Sequence, residues 1–271
     1  MSAQALQRVA VRMLYDKPFL DSVYENAIAA TADCDLTDEE REWLRAPDQR
    51  AWRVDPLRRS RSLAALVEEF AVSVAVFVRS APGATARLDS FFSSEHFHRG
   101  MQEGASLARL FADWFAGQLP APQHELLRLE ASLARVRRER DAGRMSSVES
   151  GAVVLANAVE VLDLTEGTAA AFSAVLGALR QGSIAERALD RNLDVPIFSP
   201  GAGREGVLVD GRSDDPRLEL LSVELAQVLA IVSKPTKMRD FVVEAARHGA
   251  EEDDCRSILA SFAADGLVDQ T

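Results

Sequence analysis

Leu63, Leu66, Phe70, Val74 and Phe77 recur three or four residues apart, the spacing of one helix face, between a start at Asp55 and Pro56 and a stop at Pro82 and Gly83. A chain built around such a stripe has to bury it against other helices, and the flanking sequence supplies them. Residues 3 to 15 and 18 to 30 form two short amphipathic segments, with Pro18 at a position where a helix can start because its missing N–H is not needed there. Thr37 with Glu40 spells a capping box ahead of Trp43 and Leu44. Phe91, Phe92 and Phe97 gather around the cap Ser93, Ser94, and Leu107, Leu110, Phe111, Trp114 and Phe115 share one face before Pro120 and Pro122. Residues 123 to 140 are rich in helix formers and end in arginines, which suit the negative end of a helix dipole; they are expected to close a helical domain over residues 1–142.

From DAGRMSSVESG onward the pattern changes. GAVVLANAVEVLDL is β-branched and extended, and TEGTAAAFSAVLGALRQG reads as a helix that follows it. Short strands are predicted around Val195 to Phe198 and Gly206 to Asp210, joined by the turn-rich SPGAGRE, with a further strand at Arg217 to Leu221. Three helices follow, at 222–232, 236–247 and 251–265, with Gly266, Leu267 and Val268 leading out. Strands feeding a compact three-helix unit is the winged-helix arrangement. The expected fold is α+β, mostly α: a helical domain over 1–142, then a strand–helix segment and winged helix over 146–271. VEVLDLTEGTAAAFSAVLGAL and LELLSVELAQVLAIV echo one another as strand into small-residue helix, which fits either a duplicated half-motif or chance.

With 271 residues, 47% hydrophobic and 27% charged, the chain has the profile of a packed globular protein with room for two modest cores. Arg8 and Arg12 interrupt the apolar positions of the opening residues, and no small-residue cleavage site follows, so these read as an amphipathic helix and not as a secretion signal. No apolar run approaches the roughly 20 residues needed to cross a bilayer. A soluble, cytoplasmic protein with no membrane partner is expected. Cys34 and Cys255 lie in different halves without the paired spacing of a zinc site or redox dithiol, and read as ordinary thiols.

The chemistry-bearing residues do not assemble into a recognisable catalytic set. His96 and His98 are two apart, so on a helix they point about 200 degrees away from each other and share a metal poorly. With Glu95 beside them a metal site is conceivable on a strand-like turn; the plainer reading is two surface or interface histidines. SPGAGREG has three glycines but lacks the Lys and Ser/Thr of a phosphate-binding loop, and no nucleophile elbow or HExxH helix is present. No catalytic residue and no metal site is assigned. Arg50, Arg53, Arg58, Arg59 and Arg61 cluster around Trp52. This is either a solvated helix face or a docking patch, since Arg and Trp are enriched where partners bind. The loop SSEHFHRGMQEG admits the same two readings.

The formal charge of −11 argues against general nucleic-acid binding, which needs clustered Lys and Arg to displace counterions. From Leu193 to the end there are eight Lys/Arg against fifteen Asp/Glu, and the third helix opens with Glu251, Glu252, Asp253 and Asp254. Such a winged helix carries the wrong sign for DNA. An exposed sheet edge remains available, and an extended peptide can add a strand to it through main-chain hydrogen bonds.

LELLSVELAQVLAIVSKPTKMRDFVVEAARHGAEEDDCRSILASFAADGLV resembles the PqqD-like RiPP recognition element, a winged helix that binds leaders of ribosomally made, modified peptides. RRSRSLAALVEEFAVSV, FFSSEHFHRGMQEGASLARLFADW and VEVLDLTEGTAAAF are similar to segments of the partner subunits of multinuclear non-heme iron-dependent oxidases, as in methanobactin and thiaglutamate pathways. The resemblance spans most of the chain except its first 40 residues. It implies a non-catalytic subunit without a cofactor of its own, forming a heterodimer with an iron oxidase and presenting a precursor peptide, with cysteine as the target residue. It implies a peptide-binding edge at Arg217, Leu218, Glu219, Leu220 and Leu221, facing Arg256, Leu259 and Ala260. It places the oxidase-facing surface on the helical half, with Trp52, Arg53, Arg58, Arg59, His96, His98 and Gln102 as candidates. The rival readings are a winged-helix transcriptional regulator with a helical sensor domain and a free-standing metalloenzyme using His96 and His98.

Overall fold

The computed structural model describes residues 3–53, 57–142, 151–196 and 198–270. It is mostly helical with two small antiparallel sheets, an α+β fold. In chain order the elements are α1 (Ala3–Tyr15), α2 (Lys17–Ala30), α3 (Asp38–Arg45), α4 (Arg58–Glu69), α5 (Ala71–Ser80), α6 (Ala84–Ser90), α7 (Glu95–Gln102), α8 (Leu107–Ala116) and α9 (His124–Asp141). Then come β1 (Ala152–Leu155), β2 (Val159–Thr165), α10 (Thr168–Leu179), α11 (Ile184–Ala188), β3 (Arg204–Asp210) and β4 (Arg217–Leu221). The chain ends with α12 (Val223–Ile231), β5 (Thr236–Lys237), α13 (Met238–Arg247), α14 (Glu252–Ala264) and β6 (Val268–Gln270). Two compact units result, Met1–Leu119 with Gln181–Leu193 and Pro120–Arg180 with Asp194–Thr271.

The first unit is all helical. Asp16 starts α2 by accepting from the Phe19 N–H, and the expected capping box of Thr37 and Glu40 starts α3. Ser94 and Ser106 start α7 and α8 by accepting from Phe97 and Arg109 N–H groups. The stripe read as one central helix is two: Phe70, at φ −116° and ψ 37°, separates α4 from α5, and every residue of α5 from Ala71 to Val78 is buried. The start expected at Asp55 and Pro56 lies outside the described residues. Phe70, Phe77, Phe91, Phe92, Phe97, Phe111 and Phe115 are fully buried, and their rings meet edge-on or tilted at centroid separations of 5.1 to 5.4 Å, the geometry aromatic quadrupoles favour.

The second unit begins with α9, expected to close the helical domain. It packs instead on β2 and β3, burying Leu126, Leu129, Leu133 and Val136, while α11 returns to the first unit beside α4 and α5. The domain break thus falls at Leu119 and Pro120 and not after residue 142. The extended stretch at 151–164 forms two strands, in different sheets, because Ala158 takes φ +62° and turns the chain between them. The sheets are ordered β5-β1-β6 and β2-β3-β4, all pairs antiparallel. Side chains alternate across a strand. Val161, Leu208 and Leu221 therefore share the face covered by α12, whose Ala226 sits where a side chain on Gly206 would go. Glu160, Val207, Val209, Leu218 and Leu220 occupy the face toward α9, where Glu160 accepts from Ser132 and pairs with Arg135. Of the strand expected at Val195 to Phe198, Ile197 lies outside the described residues and Val195, Pro196 and Phe198 are not in a strand. No helix among the described residues is long and apolar enough to cross a membrane.

Candidate peptide edge and helical-unit site

β4 forms over the five residues expected of it, pairing Gly206 with Leu221 through Asp210 with Arg217. On its other side no strand pairs with it among the described residues. Such an edge leaves alternate N–H and C=O groups without a ladder partner. The edge is open: Arg217, Glu219 and Leu220 are exposed and Leu218 and Leu221 half-buried, and Leu220 shows 65% of its surface although its ladder partner Val207 shows none. An added strand would find Leu218 and Leu220 on the α9 face and Glu219 with Leu221 on the α12 face.

The turn before β4 is fixed by Arg212, which donates to the Asp210 carboxylate at 2.8 and 2.9 Å and to the Asp265 carbonyl, at the end of α14, at 2.7 Å. The Arg212 hydrogen bond holds the Asp210 carboxyl below the usual carboxylate range. The three residues assigned to α14 separate. Arg256 is exposed and paired with Glu252, Ala260 is exposed, and Leu259 is wholly buried with Val228, Phe241 and Cys255. Leu259 is therefore a core residue and not the wall of a groove, since its side chain is spent in that packing. The helix seated on the β4 sheet opposite α9 is α12, whereas α14 packs on α13 and β6.

SPGAGRE is not an ordinary hairpin turn. Gly201 and Gly203 close around Glu166: the Gly203 N–H donates to the Glu166 carboxylate, and a side chain at either glycine would strike it. The glycines permit this close approach, and a side chain at either would make Glu166 move.

The candidates of the helical unit are mostly occupied within it. Trp52 donates its indole N–H to the Tyr24 hydroxyl at 3.1 Å, and Arg53 pairs with Asp21. Arg58 is half-buried near the start of α4. Arg59 donates to the Asp89 carboxylate at 2.7 Å, the Tyr15 carbonyl at 3.0 Å and the Ser93 hydroxyl at 3.2 Å, and lies over the Phe92 ring. His96 bonds the Leu110 carbonyl at 3.1 Å. Gln102 ends α7, and its side chain lies outside the described residues.

His98 departs from the surface reading: it is 7% exposed, and neither ring nitrogen meets a hydrogen-bond partner. Burial and the Arg12 guanidinium push it down to about 4, against the pull of Asp16. Arg8, Arg12, Asp16 and Cys34 lie around it, a grouping the sequence does not announce, since α1 and the loop after α2 carry no motif that brings them to α7. Desolvation raises both thiols, Cys34 and Cys255. Among the described residues no three His, Cys, Asp or Glu side chains gather as a metal site. No protein-family model matches the chain, and no curated protein matches it.

Proposed function

We propose that this chain is a non-catalytic partner subunit, one that binds the leader of a ribosomally synthesised precursor peptide and presents the peptide's core residue, a cysteine, to a multinuclear non-heme iron oxidase. The reading rests on the resemblance of residues 218–268 to a RiPP recognition element and of the helical half to oxidase partner subunits. The observation that carries it is the unpaired edge of β4 with its exposed Leu220, where an extended guest gains main-chain hydrogen bonds and a pleated apolar contact. β2, β3 and β4 followed by α12, α13 and α14 are compatible with a winged helix. The acidic excess after Leu193 favours a peptide over a phosphate backbone. In this reading the iron belongs to the oxidase, and the helical unit docks on it.

The test is co-purification with an iron protein encoded beside this chain, together with a labelled synthetic peptide from an adjacent precursor gene. Leu220→Pro, which removes one backbone donor, and Leu220→Asp, which removes the apolar contact, are expected to weaken leader binding about tenfold, the effect of roughly 1.4 kcal/mol. The oxidase should still co-purify. Equal loss of both partners contradicts the assignment, and salt-dependent binding to duplex DNA supports a regulator instead.

A further inference from the structure

The two sides of β4 differ in what their backbone groups do. Gly211 donates its N–H to the Ala158 carbonyl at 2.8 Å, and Glu166 donates to the Gly203 carbonyl at 3.0 Å, at the two ends of the β2–β3 ladder and in its register. Hydrogen-bonded and non-hydrogen-bonded pairs alternate along an antiparallel ladder. Val207 and Val209 therefore bond to β2, and Gly206, Leu208 and Asp210 bond to Leu221, Glu219 and Arg217 of β4. The N–H and C=O groups of Leu218 and Leu220 are left facing away from β3, and no other strand takes them among the described residues.

The side chains of this edge form a pattern that complements itself. Leu218 and Leu220 lie on the α9 face, and the exposed Arg217 and Glu219 lie on the other. Asp210, opposite Arg217 in the ladder, is held by Arg212, and neither Arg217 nor Glu219 forms an ion pair among the described residues. Laid antiparallel against itself about a two-fold axis through Leu218, the strand sets Leu218 against Leu218 of a second copy, Arg217 against Glu219, and Glu219 against Arg217. The next step sets Leu220 against Pro216. One face of the joint is then apolar and the other carries the ion pairs. The Leu218 pair exchanges both of its main-chain bonds, and each Leu220 N–H meets a Pro216 carbonyl, so the proline's missing N–H interrupts neither. Arg217 and Glu219 fall at non-hydrogen-bonded positions, where facing side chains approach most closely. Moving the axis to Glu219 sets carboxylate against carboxylate, which is destabilising. Charge thus selects one register and one occupant.

We propose that β4 pairs with β4 of a second copy of this chain, antiparallel about Leu218, so that the β2-β3-β4 sheets of the two copies become continuous. This contact goes beyond the proposed function but uses the same backbone donors, so a copy paired in this way holds no leader at that edge. Self-association and leader binding are measured separately, and either can fail alone.

Sedimentation velocity of the full chain over rising concentration tests it, and a reversible monomer–dimer equilibrium is expected. Arg217→Glu sets carboxylate against carboxylate at both symmetric places, and Glu219→Arg sets guanidinium against guanidinium. Each should weaken the dimer about tenfold or more, since both favourable pairs turn unfavourable together. Mixed in equal amounts, the two single variants regain opposite charges at both places and should form a heterodimer as stable as the wild-type dimer. Both positions are exposed, and circular dichroism checks that each variant folds. A wild type that stays monomeric overturns the pairing, as does undiminished association of folded Arg217→Glu, or a mixture that associates no better than its components.

Discussion

The Glu205 carboxylate, on β3, accepts the backbone N–H groups of Gly167 and Ala169 at 2.9 and 2.7 Å and so caps α10 from another strand. Gly167, at φ 89°, has no side chain with which to cap its own helix. A borrowed cap closes the same orphan donors as a local one. Glu205→Ala should therefore cost about 1–2 kcal/mol, the usual effect of losing an N-cap. Urea unfolding followed by circular dichroism measures it, and Glu205→Gln, which keeps an acceptor, should recover part of the loss.

Gly100 sets how closely α7 approaches α8, since a Cβ there would stand 1.9 Å from a methyl carbon of Leu110. Alanine gains about 1 kcal/mol of helix propensity, but overpacking costs typically about 1–3 kcal/mol. Gly100→Ala should be net destabilising. Combining it with Leu110→Ala should cost less than the sum of the two single changes, because the second removes the clash created by the first. Strict additivity in a double-mutant cycle would contradict this packing.

Helix spacing and caps made most of the helical unit legible, and β4 could be bounded from its flanking turn and the Ser222 cap of α12. What stayed hidden depended on contacts distant in sequence. The apolar stripe continues across Phe70, so periodicity alone cannot see that the backbone leaves the helix there. The amphipathic pattern of α9 says that one face is buried but not against what, and its partner is a sheet whose strands come later. Ala158 turns the chain between β1 and β2 with no glycine to announce it. At the candidate sites the edge was readable as a strand bounded by turns, whereas Leu259 was misread because only its packing distinguishes it from Ala260. The setting of His98 needs α1, the start of α2 and α7 together, three segments whose meeting no local pattern encodes.

Arg59 ties three segments, bonding the Tyr15 carbonyl at the end of α1, Asp89 in α6 and Ser93 before α7. A lysine carries the same charge but cannot present a planar fork to several acceptors at once. Arg59→Lys should destabilise the helical unit by about 1–2 kcal/mol, the range for hydrogen bonds to a charged group discounted for partial exposure. Arg109→Gln, whose ion pair with Asp113 is solvent-screened, should be near neutral. Chemical denaturation of both variants compares them directly.

His98 gives the helical unit an acid-sensitive stability. Its folded value is lowered to about 4 from the ordinary 6.5, first by burial and then by Arg12, with Asp16 opposing and Arg59 reinforcing. Between those two values the unfolded chain binds a proton that the folded chain refuses, so unfolding gains ground as pH falls; above 6.5 the contribution is fully present. Tryptophan fluorescence isolates the effect, because all three tryptophans, Trp43, Trp52 and Trp114, lie in the helical unit. The urea midpoint followed at 350 nm should fall from pH 7 to pH 5. His98→Gln, which has no proton to take up, should show a flatter profile over the same interval. An undiminished slope in that variant would assign the acid sensitivity to some other group.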